Sequence, residues 1–208
     1  MQEAVDLKMK IDSIKTPDDL FGPMKALGYT VFDGPEKWDL NIIGVRHPGG
    51  STNTFNDRMF VVARDDSGIM RILGSWEITT DPGDAHLLNP ENRMGTACLV
   101  PGQYRGAYRY GLHKGKPALV QVKEVKVYRD NDKNKIHSMD PHSITEGVYG
   151  INIHRAGPDS QRVDLWSAGC QVFKRAADIE TFLKICEKQS KEHPGWDLYT
   201  YTLLLADE

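Results

Sequence analysis

The chain lacks what would place it in a membrane, on nucleic acid or in a disulfide framework. No apolar run approaches the ~20 residues needed to cross a bilayer. Lysine and arginine number 26 against 29 acids, for a net charge of −3. They form no basic block, so the electrostatic footprint of a nucleic-acid binder is missing. Cys98, Cys170 and Cys186 cannot all pair, which points to reduced thiols. Neither His-Glu-x-x-His nor Cys-x-x-Cys occurs among the seven histidines and three cysteines, so no metal and no cofactor is expected. The opening stretch MQEAVDLKMKIDSIK mixes acids and bases without an apolar segment. It does not read as a signal peptide, and synthesis in the cytoplasm is the expectation.

What is present is an ordinary globular composition, 39% hydrophobic and 26% charged over 208 residues. The expectation is a helical extension over residues 1–30 followed by one β-rich catalytic domain over 31–208. Thr16-Pro17-Asp18-Asp19 has the residues of a helix start, and Gly28 those of a stop. Gly22-Pro23 argues for a break or a kink between them. Residues 40–46, 58–64, 69–80, 96–100, 118–122 and 125–128 are short apolar runs between turn clusters, the pattern of strands. Residues 81–95 and 129–146 read as long polar loops. Residues 174–191 form a helix with Ile179, Phe182, Leu183 and Cys186 on one stripe, and residues 196–205 a last strand. The fold class is therefore mostly β, of α+β type, with one packed C-terminal helix. Cys186 and Cys98 are expected in the core.

The densest chemistry lies between 147 and 173. Gly147 to His154 alternates apolar residues like a half-buried strand, with His154 at its end. Sixteen positions later comes Cys170, in Trp166-Ser167-Ala168-Gly169-Cys170-Gln171. A thiol needs a nearby base or positive charge to act as a nucleophile at neutral pH, and a histidine from an adjacent strand can supply it. Glycine beside the nucleophile lets backbone N–H groups approach a substrate carbonyl.

A histidine at a strand end followed by Ser-x-Gly-Cys resembles the signature of the L,D-transpeptidase catalytic domain, over about residues 147–173. The resemblance implies a β-sandwich or barrel, a peptidoglycan stem peptide as substrate, and a thioester on Cys170. It implies catalytic roles for Cys170, His154, Ser167 and Gly169, and substrate contacts from Arg155, Trp166, Ala168 and Gln171. Two positions depart from the family pattern: Arg155 stands where glycine is common, and Val172 where arginine is common. Arg155 or Arg162 is the expected substitute for that charge. The imidazole is expected to be held by a backbone carbonyl from 165–169, or by Ser167.

The acyl-enzyme can pass to water or to a second peptide amine. Hydrolysis, as in a phage-type lysis enzyme acting on the wall as a monomer, is the reading adopted, with cross-linking as the alternative. A binding module without activity is the rival from another class. A papain-like peptidase would carry Cys before His, the reverse of the order here. His137 and His142 read as solvated loop residues, and Trp38, Trp76 and Trp196 as core or edge residues.

Overall fold

A computed structural model describes residues 9–49 and 52–207. The first eight residues of the expected extension, and Gly50-Ser51 of the turn after β1, lie outside the described residues. Within them, eight strands pair in one sheet: β1 (Asn41–Arg46), β2 (Asp57–Arg64), β3 (Met70–Thr79), β5 (Gly102–His113), β6 (Lys116–Gln121), β9 (Ile153–Arg155), β10 (Gln171–Phe173) and β11 (Leu198–Leu205). The order is β1-β11-β5-β6-β9-β10-β3-β2, and β2 pairs back onto β1, so the ladder returns on itself. A second sheet of three strands, β4 (Thr96–Leu99), β7 (Val125–Asp130) and β8 (Thr145–Gly147), stands beside it. The helices are α1 (Pro17–Ala26), the short α2 (Asp84–Leu88) and α3 (Ala176–Glu192). The result is a mixed α+β fold dominated by the eight-stranded sheet.

β1 explains how the helices sit. Its run Asn-Ile-Ile-Gly-Val-Arg is buried at every position, as a strand covered on both faces must be. Ile42 belongs to the inner core with Met59, Ile78, Leu119, Phe173 and Tyr201. Ile43 and Val45 face the other way, onto Leu20, Phe21 and Met24 of α1. α3 lays Ile179, Phe182, Leu183 and Cys186 on the inner core, as its stripe predicts. Phe182 lies 5.1 Å from Phe173 and 6.0 Å from Trp76, ring centre to ring centre, so α3 props β10 from below.

Helix α1 starts as read. The Asp19 carboxylate accepts hydrogen bonds from the Thr16 amide and hydroxyl, at 2.8 and 2.9 Å. Gly28, at φ +73°, ends it, with Tyr29 N–H reaching back to Met24 O at 2.9 Å. No break occurs at Gly22-Pro23, and the helix runs on to Ala26. Pro23 is buried within the helix against the sheet, so packing outweighs the one backbone bond that proline removes.

Three further readings are corrected. Residues 147–154 are not one strand: β8 ends at Gly147, Gly150 takes φ +74°, and pairing resumes only at Ile153. The stretch 81–95 contains α2. The longest strand, β5, falls where no apolar run marks it, because Gly102-Gln103-Tyr104-Arg105-Gly106 is polar and glycine-rich.

Phe21 is 3% exposed and joins α1 to the sheet. Phe21→Ala should lower unfolding stability by about 3–5 kcal/mol, read from urea melts of the full chain. An unchanged midpoint would mean that α1 is not part of the cooperative unit.

Candidate functional site

His154 and Cys170 are brought together by the parallel pairing of β9 with β10, in which Ile153 faces Gln171 and His154 faces Val172. Both side chains line one cleft of about 490 Å³. The walls include Thr96 and Ala97 from β4, His113 and Lys114 from the β5–β6 hairpin, Arg129 from β7, and Trp166 and Ala168.

The cysteine loop is shaped from beneath. Ser167 is fully buried, and its hydroxyl donates to Cys170 O at 2.9 Å and accepts from Gly169 N–H at 3.2 Å. Its own carbonyl accepts from Gly83 N–H at 2.9 Å, just before α2. Ser167 is thus a clasp that sets the Cys170 backbone, not a group on the imidazole. Gly169 sits at φ +116°, and a Cβ there would collide with the Ala97 carbonyl oxygen.

Asn152 links the parts. Its N–H points at Cys170 Sγ at 3.4 Å, its side-chain oxygen accepts from Gln121 N–H at 2.9 Å, and its amide nitrogen lies 3.0 Å from His113 Nδ1. With the oxygen so used, the amide donates, and His113 Nδ1 accepts. The His113 ring stacks on His154 at 4.0 Å, nearly parallel. Gln121 holds the preceding turn by accepting from Tyr149 and Ile151 N–H.

His154 Nδ1 meets the carbonyl of Arg155 at 2.9 Å. The holder is therefore a backbone carbonyl as expected, but from the next residue and not from 165–169. Nδ1 carries the proton, so Nε2 presents its lone pair, and this buried atom has no hydrogen-bond partner among the described residues. Burial, with His113 alongside, lowers the imidazole pKa to about 4. Burial raises the Cys170 thiol to about 11, against the smaller opposing effects of the Asn152 N–H and Lys114. The resting pair is neutral thiol and neutral imidazole, not a standing thiolate. The thiol proton points at Gly150 O, 3.4 Å away.

The other predicted residues fall as follows. Trp166 and Ala168 line the cleft. Arg155 lines an adjoining hollow with His154, Lys116 and Trp166. Gln171 is fully buried beneath, accepting from Tyr201 Oη at 2.9 Å and donating to Gly169 O at 3.3 Å. Arg162 turns away to Asp84 and Asp164. The cleft's cations are instead Arg129, stacked 4.3 Å over Tyr149, and Lys114. Sequence reasoning missed both, together with His113 and Asn152. The signal for His113 was the turn Lys114-Gly115, both at positive φ, which closes the β5–β6 hairpin.

A second group contains a cysteine, a histidine and an acid, the residue types of a cysteine-dependent catalytic centre: Cys98, His137 and Asp81, whose donor atoms lie within 4.8 Å of one another. His137 is not the solvated loop residue expected; its side chain is wholly buried. Cys98 is fully buried too, and burial pushes its thiol well above the ordinary value. None of the three lines the described cleft. Among the described residues no helix is long and apolar enough to cross a membrane. Comparison with protein-family models, curated proteins and solved structures finds no match.

Two outcomes follow. Gly169→Ala should cost about 1–3 kcal/mol, through backbone strain and the clash with β4, and should distort the Cys170 loop; urea melts with unchanged stability would remove that constraint. His154 is depressed from 6.5 to about 4, so its contribution to stability is present above pH 6.5 and is lost as the pH falls toward 4. His154→Gln should flatten the stability profile between pH 6.5 and 4, and an identical acid limb in wild type and variant would contradict the assignment.

Proposed function

We propose that the cleft is the active site of a cysteine enzyme of L,D-transpeptidase type, acting on peptidoglycan stem peptides, with water as the acyl acceptor. One observation carries the reading. Cys170 and His154 border the same cleft, and the buried Nε2 of His154 has no hydrogen-bond partner among the described residues while the other ring nitrogen is tied to a backbone carbonyl. The motif His154, Ser167, Gly169, Cys170 adds the substrate class by resemblance. Arg129 and Lys114 suit the carboxylates of a stem peptide, in the place of the arginine that Val172 replaces.

The chemistry follows from two neutral groups. Rotation of the Cys170 side chain turns the S–H from Gly150 O toward His154 Nε2. The sulfur attacks a stem-peptide carbonyl carbon as the proton passes to Nε2. Imidazolium forms only in this step, stabilised by the Nδ1–H bond to Arg155 O. The Asn152 N–H, already directed at the sulfur, favours the anionic form. His154 then gives its proton to the departing amine, leaving a thioester on Cys170. Water, losing a proton to His154, adds to the thioester and releases a carboxylate and the free thiol. Glu91 and Asn92 add polar side chains to the same cleft. A second peptide amine in place of water would cross-link instead.

Purified muropeptides incubated with the chain should give shortened stems by mass spectrometry, and Cys170→Ala should give none. New cross-links would assign the alternative acceptor, and full activity in Cys170→Ala would end the proposal. Because the thiol stands near 11, alkylation by iodoacetamide without substrate should be slow at pH 7 and rise steeply above pH 9. Fast alkylation of Cys170 at neutral pH would contradict the neutral resting pair.

A further inference from the structure

We propose that Asp81, Cys98 and His137 bind a divalent transition-metal ion of the zinc class, at a structural site separate from the cleft. The three come from distant parts of the chain: the end of β3, strand β4, and the segment after β7. Their donor atoms converge, with Cys98 Sγ 3.5 Å and His137 Nδ1 3.7 Å from the same Asp81 oxygen. Ligands on one tetrahedral zinc stand about 3.3–3.5 Å apart, given the usual metal–sulfur, metal–nitrogen and metal–oxygen lengths. The spacing therefore needs only small side-chain rotations.

The second observation is His137 itself. Its side chain is wholly buried, and neither ring nitrogen has a hydrogen-bond partner among the described residues. A buried imidazole left so is costly, and a metal ion on one nitrogen removes that cost. Arg46 Nε lies 3.2 Å from that same Asp81 oxygen and 2.8 Å from Thr80 Oγ1, which leaves the second carboxylate oxygen to turn toward an ion. Outer partners of this kind orient a ligating carboxylate.

Arg46 is fully buried near Asp81 and Asp57, and a divalent ion would enter with loss of the Cys98 proton. Three protein donors leave a fourth position, open to water or a carbonyl oxygen. The ion would tie β4, which walls the cleft, to the segment that follows β7, the strand of Arg129.

The test uses Co²⁺ as an optical reporter and Zn²⁺ as competitor on the full chain, stripped with chelator and kept reduced. One equivalent of Co²⁺ should give a near-ultraviolet thiolate-to-cobalt band in wild type and equally in Cys170→Ala, and Zn²⁺ should abolish it. His137→Gln and Cys98→Ser should weaken Zn²⁺ binding at least about tenfold, and Zn²⁺ should raise the thermal midpoint of wild type. If Cys98→Ser does not fold, the spectra of wild type and Cys170→Ala still decide. Absence of the band in wild type, or a band lost in Cys170→Ala and kept in Cys98→Ser, would overturn the proposal.

Discussion

The cleft depends on a short parallel pairing, β9 with β10, three residues on each side. Because the strands are parallel, the segments that precede them, 147–152 and 165–170, arrive at the same end of the sheet. One brings Asn152 and the other Cys170, and they meet there through the Asn152 N–H and the sulfur. An antiparallel pairing would have sent them to opposite ends. So few residues could not hold this pairing alone. β6 and β3 flank it, and α3 supports it through Phe173 and Phe182.

Around that pairing the protein separates two groups of similar composition. Cys170 and His154 border open space, and the stacked His113 shares the cleft with them. Cys98 and His137 are sealed beside a buried Arg46–Asp81 pair. Desolvation acts on both. In the cleft it keeps the Cys170 thiol and the His154 imidazole neutral. In the interior it raises the Cys98 thiol well above its ordinary value and lowers the His137 imidazole.

Much of the scaffold was legible. The stripe of α3, the start and stop of α1 and the strand over 40–46 each rest on local rules, and each stands in the structure. His154 and Cys170, the two residues singled out by the motif, line one cleft. What was not legible depended on tertiary contact. β5 hides among glycines and tyrosines because its pairing with β11 and β6, not its own pattern, makes it a strand. The alternation from Gly147 to His154 imitated a strand, whereas Gly150 turns the chain and Gln121 holds the turn. Arg129 and Lys114 reach the cleft from segments with no motif. His137 lies in a polar stretch, and only the folded chain buries it against Asp81.

The central claim is that Cys170, and not either of the other two thiols, carries the acyl group. Rapid acid quench of the full chain with a synthetic stem tetrapeptide, followed by peptide mapping of the intact thioester, tests it directly. The account predicts an acyl mass increment on the peptide containing Cys170, absent from those containing Cys98 and Cys186 and abolished in His154→Ala. An increment on Cys98, or turnover with no thioester on Cys170 at any quench time, would contradict it.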